Sequence, residues 1–146
     1  MTSLPIGKAE VRRRGQGIAL LAFGSLVSAA EAIGQQLDAT VVNMRFIKPV
    51  DEAMVLEMAA THSLLVTLDE NAIAGGAGGA VSEVLAAHAV AAQVLHLGLP
   101  DRFLEHGSRD DMLREAGLGT DQLLAAITAR WALLQDAASG QASVAR

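Results

Sequence analysis

The sequence predicts an α/β domain in which a mostly parallel, five-stranded sheet carries helices on both faces. Three observations lead there. Short apolar segments alternate along the chain with segments of helical spacing, and a repeated strand-helix-strand order implies right-handed parallel crossovers. Two of the apolar runs, Ile18-Ala19-Leu20-Leu21-Ala22-Phe23 and Leu64-Leu65-Val66-Thr67-Leu68, are near-continuous instead of alternating, as strands covered on both faces are. The second run passes through Asp69-Glu70 into the glycine-rich turn Gly75-Gly76-Ala77-Gly78-Gly79, which opens onto a helical pattern. Glycines at such a handover allow tight packing or the approach of a ligand or partner chain, so the working edge of the domain is expected at this turn.

Taken in order, Ala9 to Arg13 alternates in polarity like a half-exposed edge strand, and Arg14-Gly15-Gln16-Gly17 reads as a hairpin turn into the buried strand from Ile18 to Phe23. The run Arg12-Arg13-Arg14 suits a solvated edge, where positive charge discourages sheet-to-sheet aggregation. After Gly24, Leu26 to Leu37 has helical spacing, with Ser28 and Glu31 placed as a capping box. Thr40 to Met44 is the next strand. Pro49 stops extension, and Asp51 can cap a helix whose Met54, Val55 and Met58 share a face.

Strand Leu64 to Leu68 follows, then a helix from the glycine turn to about His88, then a last strand from Gln93 to Leu97. Beyond a loop at Gly98 to Phe103, two helical segments are predicted, Ser108 to Ala116 and Thr120 to Gln135, with Ser108 and Thr120 as N-caps. Asp136 to Arg146 is small and polar, and a frayed, disordered tail is expected there.

Composition narrows the function. A chain of 146 residues that is 51% hydrophobic and 18% charged can bury one core. No apolar stretch of about 18 residues offers a membrane span, and the first residues lack the basic-then-apolar order of a secretory signal, so a cytoplasmic protein is expected. The net charge of −5, with one Trp and no Tyr, argues against nucleic-acid binding. The absence of cysteine excludes disulfides, thiolate metal sites and cysteine nucleophiles.

Candidate chemistry is sparse. A phosphate cradle at the glycine turn would exploit free N–H groups at a helix start. A dinucleotide fingerprint from Gly76 and Gly78, however, needs a third glycine where Val81 stands, and no Lys-Ser/Thr pair completes a P-loop. Packing is therefore the favoured use of these glycines. Asp69 and Glu70 are adjacent at a strand end and should point to opposite faces, so no carboxylate dyad is expected. A buried one would more readily bind loop amides than act as an acid or base. His62, His88, His96 and His106 lack the i, i+4 spacing of two metal ligands on one helix face. Ser25 lacks the second glycine of a nucleophile elbow. No catalytic, cofactor-binding or metal residue is expected in this chain.

Four strings carry a family resemblance: Leu4-Pro5-Ile6-Gly7-Lys8; Val42-Asn43-Met44-Arg45-Phe46-Ile47-Lys48-Pro49-Val50-Asp51; Asp69-Glu70-Asn71 with Gly75-Gly76-Ala77-Gly78; and Gly98-Leu99-Pro100-Asp101-Arg102-Phe103-Leu104-Glu105-His106-Gly107. In this order they resemble the C-terminal domain of the 1-deoxy-D-xylulose 5-phosphate synthases, within the transketolase-like superfamily, over residues 4–135. The resemblance implies a three-layer α/β/α domain whose first, short edge strand is antiparallel to the others. It implies a parent transferase that condenses pyruvate with glyceraldehyde 3-phosphate in isoprenoid biosynthesis, using thiamine diphosphate and magnesium held by its N-terminal and middle domains. The Gly-Asp-Gly motif for diphosphate and magnesium is missing from this sequence, so the chain is expected to be one non-catalytic piece of that enzyme.

The expected partners are a second copy, in a homodimer, and the two preceding domains. Glu70, Gly75, Gly76, Gly78, Glu83, Arg45, Phe46 and Arg102 are the candidate packing residues. Self-association is expected through an apolar patch on the helix from Val81 to Val90. The alternative is an independent α/β module that binds a small molecule or anion at the glycine turn.

Overall fold

The computed structural model describes residues 8–45, 49–69, 76–98 and 119–144. Strands β1 (Glu10–Arg13), β2 (Ile18–Ala22), β3 (Thr40–Asn43), β4 (Leu64–Asp69) and β5 (Gln93–Gly98) form one sheet in the order β1-β3-β2-β4-β5. All neighbours are parallel except β1, which runs antiparallel to β3. A 3₁₀ turn (Gly24–Leu26) and helices α1 (Val27–Leu37), α2 (Glu52–Thr61), α3 (Ala77–Ala87) and α4 (Thr120–Val144) complete the described elements.

The period of two along a strand sends alternate residues of β2 and β4 to opposite faces. Ile18, Leu20, Leu64, Val66 and Leu68 pack with Ala30 and Ile33 of α1 and Leu123 and Ile127 of α4. Ala19, Leu21 and Leu65 pack with Val55 and Met58 of α2 and Val81, Val84 and Leu85 of α3. Both faces being covered, every residue of β2 and β4 is buried, which is why these strands read as apolar runs. The result is the expected α/β/α layering.

The first connection differs from the expected hairpin. β1 pairs with β3, not with β2. Residues 14–17 instead cross the start of β3: Gly15 N–H donates to Thr40 Oγ1 at 2.9 Å and Gln16 N–H to the Asp38 carbonyl at 2.8 Å. A Cβ on Gly15 would overlap the Asp38 and Ala39 backbone, so this crossing requires glycine. β1 is an edge strand as expected, with a register irregularity between Val11 and Arg13 that adds to its protection against edge pairing.

Helix ends follow local chemistry with three differences. Asp51 caps α2 as expected, its Oδ1 accepting from Met54 N–H at 3.1 Å. No capping box forms at Ser28, because a 3₁₀ turn at Gly24–Leu26 starts the helix earlier; Glu31 faces Arg12 at 3.5 Å instead. Thr120 is the first helical residue, not the cap: the Gly119 carbonyl accepts from Leu123 N–H, and Gln122 Oε1 reaches back to Gly119 N–H at 3.3 Å. α4 continues to Val144 past the expected end at Gln135, since the alanine-rich sequence after Asp136 contains no proline to stop propagation. The predicted helix from Ser108 to Ala116 lies outside the described residues. No described helix is long and apolar enough to cross a membrane.

Candidate functional site

From β2 the chain crosses by α1 to β3 on one side, and from β3 it returns by α2 to β4 on the other side. The carboxyl ends of β2 and β4 therefore mark the topological switch point, where open α/β sheets usually bind ligands. Asp69 ends β4 there and is only 5% exposed. Alternation turns Leu65, Thr67 and Asp69 toward the α2 and α3 layer. Asp69 Oδ2 accepts from the backbone N–H of Ala77, the first residue of α3, at 3.3 Å. α3 has no acidic residue in its own first turn, so a carboxylate from the sheet meets the positive end of the helix. Here the buried carboxylate binds an amide, the use expected for it.

Gly76 is the N-cap of α3, with φ −90° and ψ −148°. Gly76, Gly78 and Gly79 do not adopt positive φ; among the described glycines Gly17 and Gly24 do. Gly78 instead serves close approach: a Cβ there would lie 2.7 Å from His96 Nδ1. The His96 ring is bracketed by two hydroxyls, Thr67 Oγ1 at 2.7 Å from Nδ1 and Ser82 Oγ at 3.1 Å from Nε2. Burial holds this imidazole below the usual histidine range.

Reading residues singly missed this cluster. Its signal was a threonine inside the apolar run of β4 and a histidine inside that of β5, which turn out to be register partners.

The remaining candidates scatter. Glu83 is exposed on α3. Arg45 follows β3, on the far side of β2 from the glycine turn, and its Nη2 pairs with Glu10 Oε1 at 3.2 Å. It adopts φ 64°, uncommon for a residue with a side chain, and its N–H donates to Asn43 Oδ1 at 3.1 Å. Arg12 and Arg45 together lower the Glu10 carboxyl below its usual range, the hydrogen bond from Arg12 being the largest cause. Glu70, Gly75, Phe46 and Arg102 lie outside the described residues, as does His106.

His62 ends α2, its Nε2 2.7 Å from Thr40 Oγ1, and His88 ends α3, 3.2 Å from Glu52 Oε1. Among the described residues no three His, Asp or Glu side chains are grouped to hold a metal.

The apolar patch expected on α3 is absent. Val81, Val84 and Leu85 face the protein's own sheet, leaving Ser82, Glu83, Ala86 and Ala87 outward; the exposed large hydrophobic residue among those described is Leu133, on α4.

The family model described as transketolase, C-terminal domain, matches residues 7–123. The chain belongs to the transketolase C-terminal domain family. It is 60% identical over 130 residues to a 1-deoxy-D-xylulose-5-phosphate synthase of Thioalkalivibrio sulfidiphilus, covering 89% of this chain and 20% of that protein. A Xanthomonas campestris protein of the same name is 53% identical over 141 residues, covering 97% of this chain and 22% of its own length. The chain thus spans about a fifth of these relatives. A solved structure described as a split gene transketolase, an inactive beta4 tetramer, superposes with a TM-score of 0.81 at 28% identity, over 90% of this chain and 45% of that one.

Proposed function

We propose that this chain is the C-terminal domain of a 1-deoxy-D-xylulose 5-phosphate synthase and that it supports dimer and domain packing without performing chemistry itself. The 60% identity to the Thioalkalivibrio relative, running through 130 residues, carries this reading. The parent would be a cytoplasmic transferase that joins decarboxylated pyruvate to glyceraldehyde 3-phosphate with thiamine diphosphate and magnesium. The described residues do not fit those groups: the amide at the start of α3 is taken by the Asp69 carboxylate, whose charge would repel a diphosphate. We therefore assign cofactor and metal binding to the N-terminal and middle domains and no step of the reaction to this chain. The same occupied amide weighs against the alternative of an anion-binding module.

In this proposal a homodimer forms with α3 at its surface, Gly76 and Gly78 holding the helix close to the sheet and Glu83 facing outward. Because the outward face of α3 is polar and small, such an interface would rest on shape and polar contacts. Arg45 would belong to a domain-packing surface at the end of β3, with Glu70, Gly75, Phe46 and Arg102 as further contacts.

The direct test is a chimera in which this chain replaces the matching fifth of the Thioalkalivibrio relative, assayed for 1-deoxy-D-xylulose 5-phosphate. Activity restored over the truncated relative is the expected result. An inactive chimera that folds and dimerises would count against the assignment, as would turnover or calorimetric thiamine diphosphate binding by this chain alone. Sedimentation of the chimera with Glu83→Arg tests the dimer surface, and an unaltered dimer would reject it.

A further inference from the structure

Thr67 Oγ1 is buried, Thr67 being 2% exposed, and among the described residues its hydroxyl has no partner besides His96 Nδ1. A buried hydroxyl proton needs an acceptor. Thr67 therefore donates to Nδ1, and the ring proton sits on Nε2, where Ser82 Oγ accepts it. This tautomer also excludes a serine nucleophile, because Nε2 already carries a proton and cannot take the one on Ser82.

We propose that Thr67, His96 and Ser82 form a pH-sensitive clasp, which holds the first turns of α3 to the sheet while His96 is neutral and releases them when it is protonated. A second ring proton sets Nδ1–H against the Thr67 hydroxyl across 2.7 Å. The hydroxyl must then turn its own proton toward a buried environment without an acceptor, or the ring must leave. The ring lies against Gly78 with no room for a Cβ between them, so its displacement is felt by the start of α3. His96 is on the edge strand and partly open to solvent, so protons reach it.

Among the described residues, the charged groups on the elements around the ring are few. On β4, Asp69 shares the Thr67 face, and its carboxylate is engaged by Ala77 N–H. On α3, Glu83 is exposed next to Ser82, and His88 pairs with Glu52 of α2 at the far end. β5 contributes no other charged side chain, and among the described residues Arg130 of α4 reaches only the Val94 carbonyl. No described carboxylate bonds the imidazole to stabilise its cation. The sign follows from the lowered folded-state pKa: between the ordinary value of 6.5 and the lower folded one, the unfolded chain binds a proton that the folded chain refuses. Stability therefore falls as pH drops through that window and levels off beneath it.

The test uses the whole chain. Nitrogen-15 NMR of the imidazoles should find His96 protonated at Nε2 at pH 8 and titrating below the ordinary histidine value. Hydrogen exchange at the amides of residues 80–82, the first that are hydrogen-bonded within α3, corrected for intrinsic rates, should accelerate roughly tenfold between pH 7.5 and pH 5, the size expected for one unpaired buried hydroxyl. In His96→Asn, whose Oδ1 stands where the ring Nδ1 does and can still accept from Thr67 but which takes no second proton, the acceleration should vanish. An Nδ1–H tautomer, wild-type exchange unchanged with pH, or equal acceleration in His96→Asn would overturn the proposal. Should that variant not fold, the wild-type tautomer and exchange decide.

Discussion

The carboxylate of Asp69 and the backbone N–H of Ala77, eight residues apart, meet across 3.3 Å at the junction of β4 and α3. The contact joins a buried acceptor to a helix-terminal donor, an arrangement that is stronger than a neutral pair. Asp69→Ala should destabilise the chain by about 1–3 kcal/mol, the range for leaving a buried partner unsatisfied. Urea unfolding should find a lower midpoint with an unchanged slope, and Asp69→Asn, which keeps an acceptor oxygen, should lose less. Inorganic phosphate should leave the wild-type melting temperature unchanged, because the amide it would need is taken; a rise would favour the anion-binding alternative.

Asp51 performs two tasks with two oxygens. Oδ1 caps α2 through Met54 N–H, and Oδ2 accepts from Ala9 N–H at 2.8 Å, tying the entry to β1 against the helix start. Asp51→Ala should cost about 0.5–2 kcal/mol for the cap alone. Asp51→Ser should recover part of that loss while leaving Ala9 unpaired. Hydrogen exchange at Ala9 separates the two effects, since it should speed up in both variants.

Gly78 and Gly79 are neighbours with opposite expectations. A methyl at Gly78 meets the His96 ring at 2.7 Å, whereas at Gly79 it meets nothing within 4 Å. Gly78→Val should lower stability by about 1–3 kcal/mol through overpacking. Gly79→Ala should raise it by up to about 1 kcal/mol through helix propensity. Thermal melts of the two variants test the pair; a harmless Gly78→Val would mean that His96 yields freely.

Thr40 ties three segments at the opposite end of the sheet. Its hydroxyl accepts from Gly15 N–H and lies 2.7 Å from His62 Nε2. The Met58 carbonyl 3.2 Å from Nδ1 can only accept, so neutral His62 carries its proton on Nδ1 and takes the Thr40 hydroxyl proton on Nε2. Thr40→Val keeps the shape and removes all three contacts of the hydroxyl, the one with the Gly15 carbonyl at 3.2 Å included, and about 1–3 kcal/mol of stability should be lost. Chemical denaturation measures it, and proton exchange at Gly15 should rise in parallel.

Much of this architecture follows from segments that carry their own signal. Strands β2 and β4 are legible because burial on both faces leaves a run of apolar residues. The start of α2 is legible because an N-cap is a contact between residues three apart, Asp51 and Met54. The four strings that begin at Leu4, Val42, Asp69 and Gly98, in their order, identify the family, since order and identity survive without coordinates.

What only the tertiary structure decided are the meetings between residues distant in the chain. That β1 lies beside β3 depends on the passage of Gly15 over the Asp38 and Ala39 backbone, which no local pattern encodes. The reason for Gly78 is a histidine 18 positions later, and the partner of that histidine is a threonine 29 positions before it. Val81, Val84 and Leu85 are apolar whether they face a partner or their own sheet, and only the packing of α3 turned them inward. The physical reason is common to all three cases: hydrophobic patterning is a property of a segment, whereas pairing, register and close approach are properties of two segments brought together by the chain between them.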